Sequence, residues 1–226
     1  MDILDDIAVT LDAEAMMERL HMGGKSPSFK ALFDELIVEV LPVAKPKVLF
    51  KVSYLDGRTE DNVTIEGVEF HSRILRKNLE KAERVFPYIV TAGRELETIP
   101  VEKGDVMREY CLDAIKECIL EEALLHLEAH LQARFQPGTM AHMNPGSLKD
   151  WPVSQQPVLF SLFGDVEGLI GVKLTESNLM NPIKSVSGIH FPTEVDFKSC
   201  KLCIRHPCVK RRAAYDPDMV LHYKGG

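Results

Sequence analysis

Three thiols fall within nine residues near the end of the chain, Cys200-Lys-Leu-Cys203-Ile-Arg-His206-Pro-Cys208. Their spacing is C-x2-C-x4-C, and Lys201, Arg205, Lys210, Arg211 and Arg212 surround them. Thiols at this density serve soft-metal ligation or thiol chemistry. Zinc and iron–sulfur clusters both accept thiolates, and both usually take four ligands. Three are local here, which leaves His206, a distant cysteine, a non-protein ligand or solvent for the fourth. Cys111 and Cys118 share one stripe of a helix, where a buried cysteine behaves as a small hydrophobe. The segment holding Met140, His142 and Met143 also carries soft donors, but they are few and read as loop packing.

Composition bounds the setting for this chemistry. The chain has 226 residues, 45% of them hydrophobic, enough for a substantial core without disulfide staples. Its five cysteines are an odd number and read as reduced thiols or metal ligands. A net charge of -7 argues against nucleic acid as a partner, because phosphate neutralisation needs a basic surface. No apolar run approaches the ~18–20 residues that span a bilayer. The acidic start, Met1-Asp-Ile-Leu-Asp-Asp6, lacks the basic region of a signal peptide. The expectation is a soluble cytoplasmic protein with no membrane partner.

The elements that must position the thiols and their neighbours alternate in type. Helical spacing covers Leu11 to Leu20, stopped by Gly23-Gly24, and then Phe29 to Leu41 behind Ser28 as N-cap. A period of two follows in Val48, Phe50, Val52 and Tyr54. Asp56-Gly57 supplies a turn, with further strands around Glu66-Gly67. A helix from His71 to Val85 and a buried strand from Pro87 to Gly93 come next. The longest helical signal runs from Asp105 to Phe135, with Met107, Cys111, Ala114, Cys118, Leu124, Leu127 and Leu131 on one side and Pro137-Gly138 as its stop. After a loop rich in Pro, Gly, Met and His, a short helix over 154–164 and strands at 169–174 and 186–191 complete the pattern. This is an α+β chain with antiparallel hairpins between helices, read as one domain over 1–226 with 193–226 as a Cys-rich C-terminal extension.

The run Glu176-Ser177, Met180-Asn-Pro182, Ser185-Val-Ser-Gly188 and His190-Phe191 resembles the activation domain of cobalamin-dependent methionine synthase. Upstream, that family carries Arg-x-x-x-Gly-Tyr after a long helix, and Arg134-Phe-Gln-Pro-Gly138 stands in the corresponding place. Leu120-Glu-Glu122-Ala-Leu resembles the family's acidic segment. The resemblance covers about residues 85–192, and the whole chain resembles the free-standing forms of the domain, which often end in a Cys-rich segment. It departs at two aromatics: Thr139 follows Gly138 where the family has tyrosine, and His190 precedes Phe191 where another tyrosine is expected. A second Pro145-Gly146-Ser precedes Asp150-Trp151-Pro152.

The resemblance implies a twisted antiparallel sheet with surrounding helices that binds S-adenosylmethionine and presents its methyl group to oxidised cobalamin on a partner, with one electron from a reductant protein. It implies that Arg134 takes the methionine carboxylate, with the backbone of Pro137 and Gly138 nearby. Periodicity alone makes Arg134 a complement to the helix's negative end. Glu122 would hold the ligand's ammonium group, or otherwise a solvated helix face. Glu176, Ser185, Ser187 and Gly188 would line the ligand, with Ser185 and Ser187 on one side of an extended segment. Turn chemistry around Gly188 is their plainer role. His190 and Phe191 would meet the adenosyl part. The functional expectation is a reactivation protein for a corrinoid-dependent methyltransferase. Its alternative is an interaction or electron-transfer module, holding zinc or an iron–sulfur cluster on Cys200, Cys203 and Cys208, that has lost S-adenosylmethionine binding.

Overall fold

The computed structural model describes residues 1–19, 27–208 and 211–224. The Gly23-Gly24 stop and Lys210 lie outside the described residues. In chain order, strand β1 (Asp2–Leu4) leads to helices α1 (Ala13–Arg19) and α2 (Pro27–Val40). Strands β2 (Lys47–Phe50), β3 (Ser53–Arg58), β4 (Asn62–Ile65) and β5 (Val68–His71) follow, then helix α3 (Arg73–Asn78), strand β6 (Arg84–Thr91) and helix α4 (Val106–Phe135). The second half holds β7 (Met140–Met143), α5 (Gln156–Ser161), α6 (Val166–Ile170), the small hairpin of β8 (Lys173–Leu174) and β9 (Met180–Asn181), and the long strand β10 (Ser185–Pro192). Two helices close the chain, α7 (Ser199–Leu202) and α8 (Pro217–Lys224).

Strand β6 is the axis of a curled, fully antiparallel sheet. β10 runs along one of its edges with Gly188 opposite Tyr88. β2 and β3 share the other edge in a single register, Phe50 opposite Tyr88 and Ser53 opposite Val85. The interruption between them falls at Pro87. Lys51 N–H donates to the Pro87 carbonyl at 3.2 Å, but proline has no N–H to return the bond. β1 extends the sheet beyond β2, β7 extends it beyond β10, and β3, β4 and β5 curl away as a meander. Fold class and sheet type match the expectation.

Both faces of β6 are covered, which is why its sequence is almost continuously apolar. Phe86, Tyr88 and Val90 face α2 and α4 together with Val48 and Phe50. Val85 and Ile89 face the other way, with Leu49, Ile189 and Phe191, toward α3, α5 and α6. Among the described residues no helix is long and apolar enough to cross a membrane.

Several local expectations change in three dimensions. Asp56-Gly57 is a bulge inside β3, not a turn, and the Asp56 carboxylate accepts from Gly67 N–H at 2.6 Å. Glu66 and Gly67, both at positive φ, make the hairpin turn that follows. The helix expected from His71 to Val85 is only α3, because the chain enters β6 at Arg84. The strand expected at 169–174 is confined to β8 at Lys173–Leu174, and Leu169 and Ile170 instead close α6. Asp165 caps its start by accepting from Gly168 N–H at 2.9 Å, and left-handed Gly171 ends it. On α4 the buried stripe runs through Cys111, Leu112, Ile115, Ile119, Ala123, Leu127 and Leu131, rotated from the expected one; Met107 is exposed and Leu124 lies on the flank.

The C-terminal extension is stitched into the core. Phe197 and Tyr223 are buried in the α3–α5–α6 cluster, and Tyr223 Oη donates to Asn78 Oδ1 at 2.6 Å. Arg211 gathers the thiol segment by donating to the carbonyls of Cys200, Cys203, Arg205 and Ala213, at 2.9, 3.1, 2.5 and 3.3 Å. Arg211→Met is expected to lower unfolding free energy by about 2 kcal/mol, since it strands carbonyls that a charged donor now satisfies. Denaturant titration checks this. Arg211→Lys should recover little, because an ammonium cannot reproduce the planar fork.

Candidate functional site

The site is built from strand parity. β7 pairs antiparallel with β10, placing His142 directly opposite His190 and Met140 opposite Pro192. Directly opposed residues lie on one face, so the two imidazoles meet. Their ring centroids are 5.1 Å apart in a T-shaped arrangement. His190 also packs on Tyr88 at 4.6 Å. Alternate residues Ala141, Met143, Ile189 and Phe191 point into the opposite core cluster.

Helix α4 covers this face. Glu121, Leu124, Leu125, Glu128 and Gln132 recur at helical spacing and line the space above the two histidines. One ligand atom from each of Glu128, His142 and His190 lies within 4.8 Å of the other two. Lys184, just before β10, anchors the strand to the helix through Asp113 and Glu117 at 2.9 and 2.8 Å.

The remaining walls come from two irregular segments. β7 covers only residues 189 to 192 of β10, so among the described residues no strand pairs with that edge over Ser185 to Gly188. Asn144 lies there instead, its amide donating to Ser187 O and contacting Tyr88 Oη, both at 2.7 Å. Pro145, Gly146 and Ser147 continue this wall, while Lys198, Ser199, Cys200 and Arg212 close it from the extension. Arg212 N–H points at Cys200 Sγ, 3.4 Å away. The result is a cavity of about 1180 Å³ along the open strand edge, with a smaller recess of about 320 Å³ against the histidines. The two share Leu125, Glu128, Met140 and His142.

Burial dominates the electrostatics. His190 is 2% exposed. Desolvation, then the neighbouring His142, hold its pKa down to about 3, so the ring is neutral at pH 7. His142 is lowered by burial and then by Arg212, and Glu128 is raised by burial, partly offset by Arg212. Burial also drives the Tyr88 phenol well above its ordinary value. Two buried atoms on this surface lack hydrogen-bond partners, Ser187 Oγ and His190 Nε2.

Of the residues expected from sequence, the structure brings Ser185, Ser187 and His190 to the cavity. Ser185 Oγ donates to Thr91 Oγ1 at 2.9 Å. Gly188 sits beneath the cavity wall, where a Cβ would collide with Met143 O, Asn144 Nδ2 and Tyr88 Oη. Phe191 is in the core on the other face. Glu176 is exposed in the turn before β9, and only its successors Asn178, Leu179 and Met180 reach the cavity. Glu122 is turned off the lining face of α4, which Glu121 and Glu128 occupy. Arg134 is on another side of the helix. It pairs with Asp2 of β1 at 3.2 Å and lies over Phe135, outside the cavity lining. Pro137 and Gly138 likewise lie outside that lining, and Gly138 O accepts from Gln132. Of the thiols, Cys200 lines the cavity. Among the described residues the only group of three or more candidate ligands gathered within 4.8 Å is Glu128, His142 and His190, so the sulfurs of Cys200, Cys203 and Cys208 are not gathered to that distance.

Sequence reading gives no role to Glu128 or Asn144, sets His142 aside as loop packing and counts Arg212 only among the charges around the thiols. One signal was available. His142-x-x-x-Gly146 repeats the spacing of Arg134-x-x-x-Gly138, and it is the second Pro-Gly pair that walls the cavity. In that frame a histidine stands where the motif has arginine.

A curled antiparallel sheet, a long helix across one face and a cavity along the open edge of its Ser-Val-Ser-Gly strand define an activation-domain-like α+β fold. The crystal structure of the MetH reactivation domain bound to AdoHcy shares it, with a TM-score of 0.65 over 88% of this chain and 81% of that chain at 16% identity. At this identity the likeness is one of fold. No family model matches the sequence. No curated protein matches it.

Proposed function

We propose that the chain binds an S-adenosyl amino acid, S-adenosylmethionine or AdoHcy, in the cavity between α4 and the Ser185–Gly188 edge, and serves the reactivation of a corrinoid-dependent methyltransferase. In that role S-adenosylmethionine gives its methyl group to cobalamin carried by a partner protein, with an electron from a separate reductant. The observation that supports this reading is the cavity itself, which has the size and mixed lining that such a ligand needs. Arg212 offers a guanidinium to the carboxylate, Glu121 and Glu128 offer acceptors to the ammonium, and the partnerless Ser187 hydroxyl is free to bond the ligand. Arg134, engaged with Asp2, is not assigned to the carboxylate. The work required is positioning of a reactive sulfonium, for which no general acid or base is needed.

Titration calorimetry with S-adenosylmethionine and AdoHcy tests the reading. Binding on the order of micromolar is expected. Arg212→Ala should weaken it about tenfold through loss of a charged hydrogen bond, while Arg134→Ala leaves it unchanged. No heat with either ligand would remove the proposal.

A second reading is favoured by one observation: histidines, not arginine and tyrosine, occupy positions 142 and 190 at the cavity. In that reading the chain keeps the fold as a metal-containing interaction or electron-transfer module without the nucleoside ligand. Iron–sulfur or zinc chemistry on Cys200, Cys203 and Cys208 would then require the thiol segment to close around the ion. Metal content of the Cys203→Ala variant tests that part.

A further inference from the structure

We propose that Glu128, His142 and His190 bind a single divalent first-row transition-metal ion, zinc or iron(II), in the recess under α4. The donor set is the first argument. Two imidazoles and one carboxylate are the ligands of His₂Glu zinc sites and of facial iron(II) sites, both of which leave coordination positions open. Placement is the second. The two histidines are fixed by the antiparallel register of β7 and β10, and the carboxylate comes from the facing helix, so three separate elements converge on one point.

Distance is the third argument. Ligand atoms about 2.1 Å from one ion stand roughly 3–3.5 Å apart. The present spacing, within 4.8 Å, closes to that by side-chain movements of about 1 Å. The last argument is the buried His190 Nε2, which has no hydrogen-bond partner. Such groups are rare in folded proteins, and ligation of an ion would satisfy this one. A neutral imidazole is also the form that ligates. Open positions on the ion would face the larger cavity, where Arg212 stands ready for an anionic co-ligand. The site is separate from the thiols, and an ion there would take the Glu128 carboxylate and leave Glu121 for the ammonium of an adenosyl ligand, so metal binding is tested without that ligand.

The test uses the full chain, purified anaerobically, stripped with a chelator and titrated with Co²⁺ as a spectroscopic probe. One equivalent should bind with visible d–d bands and no strong thiolate charge-transfer band, and Zn²⁺ or Fe²⁺ should displace it. Comparing the two competitors identifies the preferred ion. Glu128→Gln and His142→Ala should each weaken Co²⁺ binding by at least about 100-fold, the upper end of what loss of an outer-shell partner costs. His142 is half-buried and Glu128→Gln is isosteric, so both variants should keep the wild-type far-ultraviolet dichroism. A variant with Cys200, Cys203 and Cys208 all changed to serine should bind as the wild type does. The proposal is overturned by failure of the wild type to bind Co²⁺, by unchanged binding in the Glu128 and His142 variants, or by loss of binding in the triple serine variant.

Discussion

Gly188→Ala is expected to lower the unfolding free energy by about 3 kcal/mol, the upper range for overpacking a closed core. The backbone there is ordinary extended strand, so the penalty is one of space. A Cβ at position 188 would lie 2.5 Å from Met143 O, 2.6 Å from Asn144 Nδ2 and 2.8 Å from Tyr88 Oη. The first of these is main chain and cannot swing aside. The second belongs to the amide that bridges Tyr88 Oη and Ser187 O, so displacing it sacrifices the contacts holding the loop against the open strand edge. Urea titration of Gly188→Ala measures the loss. A change below about 0.5 kcal/mol, the ordinary size of a surface substitution, would show that the strands can separate to admit the methyl group.

Trp151→Ala should cost about 4 kcal/mol, as expected for deleting a fully buried indole. Trp151 is 0% exposed and packs edge-on against Phe70 at 6.2 Å. Its backbone holds the cavity wall too: its carbonyl accepts from Gly146 N–H at 2.7 Å and its N–H donates to Leu148 O at 3.1 Å. The adjacent Asp150 bonds the Ser72 hydroxyl and, at 3.0 Å, Ile74 N–H, pinning the same loop to α3. Trp151→Phe should be far milder, about 1.5 kcal/mol, because the indole nitrogen has no partner to lose. Calorimetric melting of both variants checks the pair, and equal losses would mean that packing of the six-membered ring carries nothing.

Much of the frame was legible because its signals are local. The apolar run at Pro87–Val90 announces a strand buried on both faces, and the spacing from Asp105 to Phe135 announces α4. Asp165 and Gly171 cap α6 and take Leu169 and Ile170 out of the strand expected at 169–174, leaving only Lys173–Leu174, since caps at both ends outweigh a short apolar run. The site was less legible for a physical reason. Glu128, His142 and His190 belong to separate elements, and only the pairing of β7 with β10 makes them neighbours. Glu122 was chosen over Glu121 and Glu128 because an acidic run does not reveal which residue faces inward, and helix phase decides that. Arg134 satisfied a motif spacing, yet the turn after α4 directs it toward Asp2. The thiols are near in sequence, but Arg211 gathers their segment by its carbonyls and the three sulfurs do not come together.

The alternation along β7 and β10 divides each strand into two independent ledgers. Odd positions 141, 143, 189 and 191 are committed to the hydrophobic interior and must keep their volume, whereas even positions 140, 142 and 190 line the space beneath the helix, with His190 also resting on Tyr88. Evolution can therefore exchange what this architecture holds without renegotiating how it folds. That separation is consistent with a shared backbone course at 16% identity, and it marks the even positions as the ones to vary when the cavity lining is to be changed.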